Sequence, residues 1–354
     1  MTATAMSVGT LFPRRSWEGR ILSLHDGAAN LLRENGLLLS LVTSRDSMTS
    51  LSVEVRLPTG GGPLGSILEC GARAAGSTNL LTLGDLAIDL ASAPLWSGSL
   101  SARSLGGRAR QPPRLNLRRA VTLLNLAIGE TAPDDGLAGL VRDPQGSNRF
   151  ARRCAEVLAS LEVRPPATGG RPRAARPSAV LRHRGTWGTP YSGAIRGLSG
   201  VVGLGIGLTP SGDDFLAGAL LGERIVLVAG GGRPPLFIDR DEIAGALSDT
   251  SAAGATLLRL ALHDSFPAYL LDLARSVVAA RELPAVLAAV RHATSHGATS
   301  GSDACTGLWW YLSLHSYGAP SASRAKRKAR ERRPDSARAI RLSRLAPETP
   351  TCTA

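Results

Sequence analysis

The first hundred residues alternate apolar runs with breakers. GRILSLH, GLLLSLVTS, SLSVEVRLP and GDLAIDLASA lie between Gly19 and Trp96, separated by Gly, Pro, Asn and Ser. Runs of this length and bounding predict β-strands. SVEVRL alternates cleanly, so its strand is expected to have one buried and one wet face. GGGPLG, residues 60–65, predicts a loop, and GAANLLREN predicts a short helix between the first two strands.

From Leu115 the period changes. LNLRRAVTLLNLAIG and NRFARRCAEVLASLEV carry apolar residues at helical spacing. DFLAGALLGERIVLVAG, DRDEIAGALSD, LPAVLAAVRHATSHG and ACTGLWWYLSLHS predict further helices. AGATLLRLALHDSFPAYLLDLARSVVAA predicts two helices broken near Pro267. The pattern gives an α+β fold: a β-rich N-terminal domain followed by a mainly helical C-terminal domain. The expected divisions are a β-rich domain at 1–114, a helical segment at 115–163, a disordered basic insertion at 164–186, a helical domain at 187–318 and a disordered basic tail at 319–354.

Charge changes the picture less than its total suggests. The chain has 354 residues and a formal charge of +13. The tail from Ser321 to Ala354 carries +7 and the arginine-rich stretch from Arg164 to Arg184 carries +6, so the rest is close to neutral. Aromatic residues are only 4% of the chain. A nucleic-acid partner is not expected, because base stacking needs aromatic platforms and the folded part lacks a basic surface. The tail RAKRKARERR is expected to be a solvated segment.

Cys70, Cys154, Cys305 and Cys352 lie far apart and show neither metal spacing nor a disulfide framework, as a reducing compartment allows. MTATAMSVGTLFPRRSWEG contains no apolar core of signal-peptide length, and Glu223 and Arg224 interrupt the longest apolar run. The expectation is a cytoplasmic protein with no membrane partner.

One stretch asks for chemistry. Residues 203–222 read GLGIGLTPSGDDFLAGALLG. It has no P-loop lysine and does not fit G-x-G-x-x-G. Gly203, Gly205 and Gly207 permit positive φ and close backbone approach, and Pro210 sets a turn before a helix. Ser211-Gly212-Asp213-Asp214 to Gly218 has the form S-G-x-D-x-x-x-G, and Ser300-Gly301-Ser302-Asp303 to Gly307 repeats it. A threonine precedes each copy, Thr209 and Thr299. Ordinary helix capping would account for either copy alone. Two copies and three extra glycines ask for more than capping. They predict two helix starts around one small-molecule pocket, with Gly218 and Gly307 allowing the helices to approach. In it, backbone amides of Gly205, Gly207, Gly212 and Gly301, with the hydroxyls of Thr209, Ser211, Thr299 and Ser300, would hold an anion. Asp213, Asp214 and Asp303 would be the catalytic carboxylates.

GLGIGLTPSGDDFLAG resembles the signature of the AllH-like family, long carried as a domain of unknown function. HGATSGSDACTG is similar to that family's second motif, with Ala298 where the family has a His and His296 two residues earlier. The β-rich start resembles the family more loosely, so the resemblance runs over roughly residues 17 to 315. It implies a subunit of oxamate carbamoyltransferase, which interconverts oxalurate and phosphate with oxamate and carbamoyl phosphate in purine-nitrogen catabolism (allantoin degradation). It also implies partner subunits, one resembling acyl-CoA synthetases and a second besides. No cofactor and no metal are expected. The residues leave two other readings open. One is a metal-assisted hydrolase using Asp213, Asp214 and Asp303 as ligands. The other is a non-catalytic assembly subunit.

Other side chains attract blander readings. The six histidines form no metal-binding spacing, although His292 and His296 share a helix face. Trp309-Trp310-Tyr311 is expected in the core or at a subunit interface.

Overall fold

In a computed structural model, the described residues are 1–57, 62–105, 115–164, 193–229, 236–279 and 282–317. The basic insertion and the tail, both predicted to be disordered, fall almost wholly outside them.

The N-terminal region is a barrel. Strands β1 (Thr2–Gly9), β2 (Trp17–His25), β3 (Ala28–Arg33), β4 (Leu38–Val42), β5 (Ser52–Arg56), β6 (Arg73–Gly76), β7 (Leu80–Leu83), β8 (Leu86–Asp89) and β9 (Leu95–Trp96) form one sheet. Their order is β5-β4-β3-β2-β6-β7-β8-β1-β9. β1 also pairs antiparallel with β5, which closes strands β1 to β8 into a ring, with the short β9 added on β1. Leu31, Leu39, Leu41, Val53, Leu81, Leu83 and Ile88 fill the interior.

β5 behaves as its alternation predicts. Val53 and Val55 are buried, while Glu54 turns outward to accept from Ser7 at 2.6 Å and Arg45 at 3.2 Å. GAANLLREN is not a helix but strand β3. Its residue Ala28 faces His25 across an antiparallel pair, leaving Asp26-Gly27 as a two-residue hairpin loop. Asp-Gly is a strong hairpin signal, and pairing on both sides outweighs the weak local helical spacing. β1 is one of the strands without a sequence expectation. Its buried residues Ala3 and Ala5 alternate with outward-facing Thr2, Thr4 and Met6, too small a contrast to stand out.

The helical region follows. Helices α1 (Leu117–Thr131), α2 (Gly139–Arg142) and α3 (Arg149–Ser160) precede a small sheet of β10 (Glu162–Arg164), β11 (Gly193–Arg196) and β12 (Leu236–Ile238). Helices α4 (Ser211–Ala229), α5 (Arg240–Gly245), α6 (Ala252–Leu262), α7 (Ala268–Ala279), α8 (Leu283–Thr294) and α9 (Ser300–Tyr317) complete it. The predicted break between α6 and α7 stands at Pro267. The whole is α+β, as the pattern predicted.

α4 is central and buried on nearly every side, including its polar first turn. It packs most extensively against α9. Trp310 and Tyr311 of α9 are buried in the core, and the Tyr311 hydroxyl donates to the Leu236 carbonyl at 2.8 Å. Barrel and helices are joined at a buried polar seam: the Ser50 and Ser265 hydroxyls lie 2.7 Å apart, and Ser50 Oγ accepts the Gly98 amide at 3.0 Å. Leu260 of α6 enters the barrel core.

No described helix is long and apolar enough to cross a membrane.

Candidate active site

The two S-G-x-D turns meet. α4 and α9 start at the same end of the bundle and run alongside one another. Thr209 Oγ1 lies 3.0 Å from Ser300 Oγ, and Ser211 Oγ lies 3.5 Å from Thr299 Oγ1. Each motif's serine therefore sits beside the threonine that precedes the other motif.

The glycines make this approach possible. A Cβ at Gly218 would stand 1.9 Å from the Ala304 carbonyl oxygen, and one at Gly307 would stand 1.9 Å from the Phe215 oxygen. Gly218 and Gly307 occupy the eighth position of their motifs, and Phe215 and Ala304 the fifth. The contact is thus the same in both directions, and the helix pair has a local two-fold pattern.

Asp214 and Asp303, the fourth residues of the motifs, obey that pattern. Asp214 Oδ2 accepts from Thr209 at 3.0 Å, and the Thr209 and Ser300 hydroxyls both favour its anion. Asp303 is flanked in the same way by Thr299 and Ser211. Each carboxyl is thus served by its own threonine and by the other motif's serine.

Burial works against both charges. Asp303 is fully buried, and desolvation pushes its carboxyl up to about 6 despite the Leu137 amide and the two hydroxyls. Asp214 is pushed well above the usual aspartate value, by burial first and by the charge of Asp303 second. No Arg, Lys or His pairs with either among the described residues. Burial and the neighbouring Asp303 carboxyl thus both favour the protonated form of Asp214.

Asp303 keeps one open acceptor. Its Oδ1 accepts the Leu137 amide at 2.6 Å, whereas the buried Oδ2 has no hydrogen-bond partner. A buried carboxylate oxygen without a donor is costly unless something arrives to supply one. The nearby Ser211 and Thr299 hydroxyls favour the anion.

Asp213 points its oxygens elsewhere. Oδ1 accepts the Gly203 amide at 2.8 Å and Oδ2 accepts the Thr250 hydroxyl. It ties the glycine loop to the turn before α6 and is raised by burial. Ser251, which caps α6, also donates to the Leu208 carbonyl at 2.6 Å.

The glycine loop is held open. Gly203, Gly205 and Gly207 have φ of 70°, 117° and 114°. These values favour glycine, and a Cβ at Gly205 would crowd the Ser211 amide at 2.8 Å. The amides of residues 205–209 and of Ser211 make no hydrogen bond to any described residue. The Gly212 amide is spent on Leu204 and the Gly301 amide on His296, so neither is available to an anion. Ile206, at 72% exposed, and Leu208, at 41%, face outward from the loop.

Two contributors escaped the sequence reading. Leu137 supplies the amide to Asp303, and Gly136, at φ 74°, lets the chain pass over it. A Cβ on Gly136 would meet Asp303 Oδ1 at 2.5 Å. Asn148, which caps α3, holds this turn by donating to the Gly136 carbonyl at 2.7 Å. The Asp134-Asp135-Gly136 sequence signals the turn, but nothing in it signals the partner. Tyr269 is the other, in the first turn of α7.

Among the described residues no group of three or more His, Cys, Asp and Glu is placed to hold a metal ion. Asp213, Asp214 and Asp303 do not gather as the ligand set that the hydrolase reading required.

These paired turns can be set against known families. Residues 201–312 match the model of the family described as oxamate carbamoyltransferase subunit AllH. That span starts just before the glycine loop and ends within α9, so it holds both S-G-x-D turns. It leaves out the barrel and the Gly136–Leu137 turn. No curated protein and no solved structure matches the chain.

Proposed function

We propose that this chain is a subunit of an oxamate-carbamoyltransferase-type complex and that its paired turns bind the carbamoyl-bearing substrate. The observation that carries the reading is the pairing of an open carboxylate acceptor, Asp303 Oδ2, with unspent backbone amides on the glycine loop. Such a site complements a small molecule that has both an amide NH₂ and an anionic group. Carbamoyl phosphate and oxamate each have both.

The chemistry needs little else from the protein. The oxamate nitrogen forms a bond to the carbamoyl carbon, the bond from that carbon to the phosphate oxygen breaks, and an N–H proton ends on phosphate. Asp303 orients the N–H donor and accepts from it. Asp214, whose burial favours its protonated form, limits the negative charge that an incoming anion meets. The amides of Gly205, Gly207 and their neighbours supply donors to the anion. Asp213 acts on the loop's position. A partner resembling acyl-CoA synthetases and a second subunit complete the assembly in this reading, and the reaction belongs to purine-nitrogen catabolism in the cytoplasm.

The test is reconstitution with the two partner subunits and measurement of oxalurate formed from oxamate and carbamoyl phosphate. Activity that falls at least about 100-fold in Asp303→Asn is the expected result. Full activity in that variant would leave this chain an assembly subunit.

A further inference from the structure

We propose that the Tyr269 hydroxyl reads the carbonyl oxygen of the bound substrate and so sets specificity for a carbamoyl group over a bare anion; this rests on the carbamoyl reading above. Tyr269 is buried, with 9% of its surface exposed. Its hydroxyl makes no hydrogen bond to any described residue. Tyr311 shows the ordinary behaviour by donating to Leu236. The Tyr269 phenol instead reaches open space from a largely buried ring, since its oxygen is not among the enclosed atoms that lack a partner.

The ring cannot easily turn away. It stacks on the His296 imidazole with centroids 4.3 Å apart and planes 13° apart. His296 is fixed in turn: Nδ1 contacts the His292 carbonyl at 3.0 Å, and the His292 ring meets it edge-on at 5.1 Å. His292 Nε2 lies 3.6 Å from Asp46 Oδ2 on the barrel side. The stack thus runs from the barrel to the phenol.

The phenol lies within electrostatic reach of Asp214 and Cys305, beside the starts of α4 and α9. Burial and these two groups hold it well above the usual tyrosine range, so it remains an O–H donor. The four hydroxyls of Thr209, Ser211, Thr299 and Ser300 are turned toward the carboxyls or toward each other. Tyr269, stacked on the residue whose carbonyl takes the Gly301 amide, is left as a neutral donor beside them. An NH₂ on Asp303, an anion on the glycine loop and a carbonyl oxygen on Tyr269 would together engage every polar part of carbamoyl phosphate.

The test compares wild-type chain and Tyr269→Phe by calorimetric titration with carbamoyl phosphate and with inorganic phosphate, in the assembled complex. The expected result is about tenfold weaker binding of carbamoyl phosphate with inorganic phosphate unchanged. The bound carbonyl stretch should also move to lower frequency in the wild type and return toward its free value in the variant, which a packing role would not cause. Equal weakening of both ligands, or none, with a carbonyl stretch unmoved by the substitution, overturns the role of Tyr269 alone. A wild-type complex that binds no carbamoyl phosphate overturns the carbamoyl reading and this inference with it.

Discussion

Thr209 and Ser300 stand 91 residues apart in the chain and 3.0 Å apart in space. Both hydroxyls favour the Asp214 anion, so the first motif's carboxyl depends on the second motif's serine. A double-mutant cycle with Thr209→Val and Ser300→Ala is expected to give a coupling of about 0.5–1.5 kcal/mol in unfolding free energy. Strict additivity would show that the contact carries no energy.

The glycines at the helix crossing admit no side chain. Gly218→Ala and Gly307→Ala each place a carbon 1.9 Å from a backbone oxygen, which cannot swing aside as a side-chain tip would. Each is expected to cost about 3 kcal/mol or more by denaturant unfolding. Gly245→Ala is the control, since nothing lies within 4 Å of its added carbon. It should be neutral or stabilise by up to about 1 kcal/mol.

Stability should fall as pH rises through the range where Asp303 titrates. The folded chain keeps the Asp303 proton up to about 6, against 3.8 for an ordinary aspartate. Between those values the folded state binds more protons than the unfolded state, so raising pH favours unfolding. The drop attributable to this group is of the order of 3 kcal/mol and is complete above its folded value. Asp214, also raised by burial, contributes in the same direction. Unfolding measured across this range should show the fall from about pH 4 to 6 in the wild type and a flatter curve in Asp303→Asn.

Asp213→Ala should act on the loop. It removes the acceptor for the Gly203 amide and the Thr250 hydroxyl. The expected loss is about 1–3 kcal/mol, with faster amide hydrogen exchange across residues 203–209. Unchanged exchange there would show that Ser251 alone suffices to hold the loop.

At the far end of α4, buried Glu223 accepts from the Ile238 amide and from Arg240, each at 2.7 Å. Arg240→Met strands that carboxylate and should cost about 3–5 kcal/mol at neutral pH. Burial already raises the Glu223 carboxyl. Losing Arg240 raises it further, so acidification should recover part of the lost stability.

Much of the site could be read from local spacing. Ser211, Asp214, Ser300 and Asp303 declared themselves because capping residues, a carboxylate and a glycine recur at fixed offsets before apolar helices. Their convergence follows from Gly218 and Gly307. What stayed hidden arrives from elsewhere in the chain. Gly136 and Leu137 look like any turn, and Tyr269 looks like any core aromatic, because their meaning lies in which atom they face. Asp213 differs from its neighbour Asp214 for the same reason: a step of about 100° round the helix aims it at Gly203 and Thr250. In the barrel, β3 was misread because a short run of Ala and Leu suits either period until its hairpin partners are known.

The crossed wiring of the two motifs also governs what an interrupted chain can be. During synthesis Asp214 leaves the ribosome long before Ser300 exists, and until then its carboxyl stays hydrated and α4 has no neighbour to bury its glycine face. A nascent or clipped polypeptide lacking α9 therefore leaves the Asp214 turn without its partner. Only the finished strand of translation closes the circuit.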